Sequence, residues 1–169
     1  VTARAGEPFD TGRAVSDIEA ALSVPLPDSG PAADEGEPGT GEWRSTRGEG
    51  FLLLPLWESE ALTGVYGRAW NDAEARAQAH LAALVAELDR RWGPHRTVTM
   101  GPALLRRPGV EPFRTLVAKD CNGDLALWGP VPAPDGRLAA VSLNQSDGDA
   151  PLILTALVMD RPLPDVTVL

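Results

Sequence analysis

The sequence is short of most residues that carry chemistry. Its 169 residues include one cysteine, Cys121, and two histidines, His80 and His95. One cysteine allows no intramolecular disulfide and no thiolate metal cluster. Two histidines without a second at i+4 give no His-Glu-x-x-His zinc motif. Lysine is nearly absent: Lys119 stands alone beside fourteen arginines. No apolar stretch approaches about 18 residues, the length a membrane-spanning helix needs. The first ten residues hold no apolar signal-peptide core. No Gly-x-Gly-x-x-Gly opens a helix, no Gly-Lys-Ser/Thr occurs, and no serine sits in a Gly-x-Ser-x-Gly elbow. The expectation is a cytoplasmic globular protein that needs no cofactor, no metal and no catalytic set.

What is present is apolar residues, acid and tryptophan. Hydrophobic residues make up 43%, enough for a core that needs no disulfide or metal. The excess of Arg over Lys, with abundant Ala, Gly and Pro, reads as the codon bias of a GC-rich bacterial genome. The net charge is −9, unevenly spread. Residues 1–42 hold nine acids against Arg4 and Arg13, a net −7; residues 43–169 carry −2. That balance repels phosphate backbones, and no nucleic-acid partner is expected.

The first 42 residues read as an acidic leader. Val15, Ile18 and Leu22 lie on one helical face, predicting a short helix over 12–23. Asp10 or Thr11 can cap it, and Pro25 stops it. Residues 25–42 are Pro, Gly, Ser and acid without apolar period, and read as an extended linker or an acidic arm for a basic partner.

Residues 43–169 read as one α+β domain. Residues 43–47 and 51–57 flank Gly48-Glu49-Gly50 and predict a hairpin, with Pro55 at an edge or a bulge. A further strand is expected over 64–70. A long amphipathic helix is expected over 72–92, with Asn71 as its cap and Ala77, Leu81, Leu84, Val85, Leu88 and Trp92 as its apolar stripe. Strands then follow at 96–100, 114–119, 124–128, 137–144 and 151–159. The middle pair looks like a hairpin about Asn122-Gly123, and short polar turns join the later strands. The fold expected is an antiparallel sheet, a four- to five-strand C-terminal meander plus an N-terminal hairpin, packed on one long helix. Several strands are apolar on both sides, so the second face also wants burial. The leader helix and a second subunit are the two covers expected for it, the latter making a homodimer.

Chemistry-bearing groups are sparse. Arg90, Arg91, Trp92, His95 and Arg96 form a basic cluster past the helix end, read as helix-end charge compensation or as an anion-binding or partner-contact spot, extended by Arg106 and Arg107. Asp120 to Asp124 alternates oxygen ligands like the start of a calcium loop but lacks its later ligands, and reads as a turn. Glu58 with Glu60 is the nearest approach to a paired-acid site. Five tryptophans fall at element ends. Trp43, Trp57 and Trp128 are the candidates for hydrophobic contact with a partner. The layout resembles the small immunity-type proteins of bacterial toxin systems, without a shared motif. The leading expectation is therefore a non-enzymatic module acting through protein–protein contact. A small enzyme or ligand-binding protein with a pocket between sheet and helix, and a structural subunit of a larger assembly, are the alternatives.

Overall fold

The computed structural model describes residues 1–37, 39–106, 108–133 and 135–164. Its elements run α1 (Thr11–Leu22), β1 (Ala33–Glu37), β2 (Glu42–Gly48), β3 (Phe51–Glu58), α2 (Gly67–Trp92), β4 (Arg96–Val98), α3 (Met100–Arg106), α4 (Phe113–Ala118), β5 (Leu125–Trp128), β6 (Leu138–Asn144) and β7 (Ile153–Met159). The seven strands form one sheet in the order β1-β2-β3-β7-β6-β5-β4, antiparallel throughout. β4 to β7 are the expected meander, and β2–β3 is the expected hairpin. The 26-residue helix α2 carries the chain from the middle of the sheet to its far edge, and the meander returns to pair β7 with β3.

Pro55 sits where its missing N–H does least harm. The β3–β7 register shifts between Pro55 and Trp57, and β2 pairs with β3 only through Phe51 to Leu53. Past that point β2 and β3 diverge, and the N-terminal segment bridges to both, Thr2 to Trp43 and Ala5 to Glu58. Glu58, 5% exposed, accepts the Thr2 N–H at 2.6 Å.

Alternation along the central strands splits the core in two. On one face Leu154, Ala156 and Val158 of β7 join Ala139, Val141, Leu52 and Leu56 under α1 and α2. On the other, Leu157 and Met159 join Ala140, Phe51, Leu53 and Leu127 under α3 and α4. Both faces are thus buried, as the unbroken apolar runs require. The cover of the second face differs from expectation. The leader helix does dock, but beside α2, where Ala14, Val15, Ile18, Ala21 and Leu22 are buried. Asp10 caps it by accepting the Arg13 N–H at 2.8 Å. The opposite face is closed by α3 and α4 of the same chain.

Four local expectations are corrected. Residues 114–119 form no strand: Phe113, Thr115 and Leu116 face inward as α4, because a run of six fits either period and burial against β3 and β7 selects the helical one. With that strand gone, Asn122-Gly123 is no hairpin turn; it lies in the α4–β5 loop, where Gly123 N–H donates to Asn144 Oδ1 at 2.9 Å. Residues 64–70 form no strand either. Trp70 continues the stripe of α2 backward by two turns, so the helix starts at Gly67 and its N-cap is Tyr66, without a side-chain cap bond, rather than Asn71. The expected linker, finally, contains a strand. β1 has no apolar pattern and all five of its residues are exposed. Ladder bonds to β2 hold it, and those need no buried side chain.

Candidate functional site

The basic cluster past α2 is balanced by acids of the same chain. Arg90 pairs with Glu87 at 2.6 Å, and Arg91 reaches both Glu87 at 2.9 Å and Glu19 of α1 at 2.7 Å. Bonds from Arg90 and Arg91 push the Glu87 carboxyl down to about 2. His95 donates its backbone N–H to Asp89, and its Nδ1 lies 2.9 Å from the same carboxylate. The Trp128 indole N–H also donates to Asp89, at 3.0 Å, and to the Gly93 carbonyl at 3.1 Å. Burial raises Asp89, but these bonds outweigh it and hold the carboxyl below its ordinary value. Trp92 packs edge-on against Trp128 at 6.0 Å. Arginines 90 and 91 are thus engaged before any external anion arrives, and the group acts as a lock on the α2 C-terminus. Arg96 is exposed on β4 and makes no ion pair among the described residues. Arg106 ends α3, and Arg107 lies outside the described residues.

The remaining acids and the cysteine have structural occupations. Asp124 accepts the Met100 N–H at the start of α3, and Asp147 accepts the N–H groups of Asp149 and Ala150. Glu58 is buried under the N-terminal segment while Glu60 is exposed in the following loop. No group of three or more His, Cys, Asp or Glu among the described residues is placed to hold a metal ion. Burial, more than the neighbouring Asp120 that the sequence points to, pushes the Cys121 thiol up to about 12. It stays protonated at neutral pH and is no nucleophile.

The surface that stands out is the β1 edge. β1 ends the sheet, so its outer backbone groups meet no other strand among the described residues. Gly36 is required there: a Cβ would lie 1.7 Å from the Glu42 carbonyl oxygen, at a bulge where the backbone register with β1 skips Arg44 of β2. Beside the strand runs a trough of about 340 Å³ lined by Asp34, Glu35, Glu37, Glu42, Trp43 and Lys119. The Trp43 indole N–H donates to Thr46 Oγ1 at 2.9 Å, and Thr46 donates to Asp34 at 2.6 Å. Lys119, delivered from the end of α4, bonds Asp34 at 2.5 Å and lies 5.6 Å over the Trp43 ring. Burial raises Asp34, yet the bonds from Lys119 and Thr46 outweigh it and keep its carboxyl low. Between residues 28 and 49 the chain carries six acids against Arg44 and Arg47.

Of the three tryptophans expected at a partner surface, the structure places Trp43 in this trough. Trp128 is 2% exposed in the helix-end lock. Trp57 is 9% exposed against Phe9 and His80. Sequence reasoning counted the acids of the trough but missed that Asp34, Glu35 and Glu37 are strand residues, since Ala-Asp-Glu-Gly-Glu has no β signature. Comparison of the chain with protein-family models, with curated proteins and with solved structures finds no match.

Proposed function

We propose that the protein is a non-enzymatic interaction module whose β1 edge takes up an extended basic segment of another protein. The observation that supports this most is the pairing of an open, fully exposed strand edge with an acidic, tryptophan-floored trough. Strand addition supplies backbone hydrogen bonds, and side-chain sites along the strand supply choice of partner. Arg47 pairs with Glu35 at 3.2 Å, and Arg44 with Glu42 at 3.0 Å and Glu37 at 3.5 Å, but six acids against two arginines leave an excess of negative charge there that favours cations. Lys119 already displays the chemistry, with its ammonium on the Trp43 face and against Asp34. The same acids oppose pairing of two β1 edges, because a second copy brings like charge to like charge. Burial of both sheet faces within the chain removes the apolar reason for a face-to-face dimer.

The test is a titration of the full chain with an extended Lys/Val-alternating peptide, followed through the Trp43 indole N–H resonance. Binding should weaken by more than about tenfold between low salt and 0.5 M salt, as screened charge pairs do. Reversing the two exposed acids together, Glu35→Lys with Glu37→Lys, which also removes their pairs with Arg47 and Arg44, should abolish it while the chain still unfolds cooperatively. Equal binding of a Glu/Val peptide, or indifference to the double reversal, rejects the reading.

A further inference from the structure

Trp57 differs from the tryptophans that are tied into the frame. Trp43, Trp70 and Trp128 each donate their indole N–H to an atom of the chain. Trp57 is 9% exposed, yet its indole N–H has no acceptor among the described residues. A largely buried indole N–H ordinarily finds a partner. This one is not sealed in. Trp57 lines a cavity of about 440 Å³ at the end of β3, between the loop 59–66 and the first half of α2. That volume suits a small molecule.

The cavity is preformed. Its loop is tied to the start of β7: Ser59 N–H donates to the Leu152 carbonyl, Leu152 N–H to Ser59 Oγ, and Leu62 N–H to the Asp149 carbonyl. His80 is held by rings, stacked on Phe9 at 4.5 Å and edge-on to Trp57 at 4.9 Å. Little ordering is left for a ligand to impose.

Its polar side chains, apart from Glu60 at the rim, can donate. Arg76 lines it and, unlike Arg90 and Arg91, has no carboxylate within ion-pair distance among the described residues. His80 follows one turn later, and its ring nitrogens have no hydrogen-bond partner among the described residues. Burial, with Arg76 nearby, keeps that ring below its ordinary value, so it is neutral at pH 7 and presents one N–H. Leu62, Val65 and Ala73 supply an apolar wall. One guanidinium with no second cation beside it suits a single negative charge, and Glu60 at the rim disfavours a second. The slightly larger cavity of about 460 Å³ beside Phe51 and Met159 makes no such case: Glu49 with Arg161 and Glu111 with Arg114 already satisfy each other there.

We propose that the Trp57 cavity binds a small monocarboxylic acid with an aromatic or branched apolar body, its carboxylate taken by Arg76 and the Trp57 indole N–H and its body against Leu62, Val65 and Ala73. This site is separate from the β1 edge and stands or falls without it.

The experiment is an NMR titration of the full chain with phenylacetate, observing the five indole N–H signals, with Trp57→Phe to assign the relevant one. The Trp57 signal should shift saturably, while those of Trp43 and Trp128 stay in place. A ligand this small binds in the submillimolar to millimolar range. Neutral phenylacetamide should bind at least about tenfold more weakly, as should phenylacetate to Arg76→Gln, a surface change that leaves the melting temperature unaltered. The proposal is overturned if Trp57 does not respond up to about 20 mM, a range that covers weak fragments. It is equally overturned if acid and amide bind alike, if Arg76→Gln has no effect, or if inorganic phosphate displaces the acid as well as another carboxylate does.

Discussion

The two faces of the sheet are closed by helices of opposite character. One face carries α1 and α2, of 12 and 26 residues, whose apolar stripes persist for several turns. The other carries α3 and α4, of 7 and 6 residues. Helices that short do not hold in water by themselves. The α4 N-cap, Pro112, supplies no side-chain bond, and the preceding Glu111 accepts the Thr115 N–H at 3.2 Å instead. What holds the short pair is burial: Met100, Ala103 and Phe113 are 0% exposed and Leu116 is 1%. The difference teaches that one cover is built from local signals that the sheet then uses, while the other is helical because the sheet demands a lid.

The largest expected effect tests that contrast directly. Phe113→Ala should cost about 3–5 kcal/mol, and Ile18→Ala about 2–5 kcal/mol, both read from chemical denaturation. A short, locally weak helix should thus be worth as much as a long one, because each anchors a core face. A cost below about 1 kcal/mol for Phe113→Ala, the range of uncritical surface changes, would show that α4 is an ornament rather than a lid.

A middle-sized effect concerns how α1 is held to its face. Arg137 is 6% exposed and reaches back to the end of α1, donating to the Val24 carbonyl at 2.5 Å and toward Ala21 at 3.4 Å. Arg137→Met keeps the bulk and strips the donors, leaving those carbonyls without their partner. The expected cost is about 1–3 kcal/mol, with faster amide exchange in α1 and unchanged exchange in α4. Equal acceleration on both faces would mean that the two covers unfold as one.

The smallest effect is a pH dependence confined to the α2 face. His80 has a folded value below its ordinary 6.5, from burial first and Arg76 second. The unfolded chain therefore binds this proton at higher pH than the folded chain does. Stability is intact above 6.5 and is lost as pH falls from there through the lower folded value. His80→Phe preserves the ring between Phe9 and Trp57 and cannot titrate. Melting temperatures of the two proteins at pH 7.5 and pH 5 should separate this histidine from the carboxylates: the parent should lose more on acidification. An equal loss would place His80 in open solvent.

Much of the fold was legible before any coordinates. The α2 stripe from Ala77 to Trp92 and the terminators Gly93-Pro94 mark their element by local period and punctuation alone. The β2–β3 hairpin and the meander β5 to β7 follow likewise from glycine turns and apolar runs. The candidate sites were less legible. Trp43, Trp57 and Trp128 were singled out together, yet they part company: one floors an acidic trough, one lines a cavity with an idle N–H, and one locks a helix end. Nothing in one dimension separates them, because the difference is which acceptor lies within reach of each indole.

By itself, then, the sequence determined the α+β class, the long helix, the leader helix and the need to bury both sheet faces. These rest on residue spacing and on apolar area, which are local or additive. Only the tertiary structure decided which face the leader takes, that 113–118 is helix rather than strand, and that the acidic stretch adds a seventh strand at the edge. It also decided which charges are engaged, Arg90 and Arg91, and that Arg76 makes no ion pair among the described residues. Those outcomes depend on the partners brought together from 72 residues apart, as Glu19 and Arg91 are, and such pairings leave no trace in local spacing because folding, not sequence proximity, sets the distance.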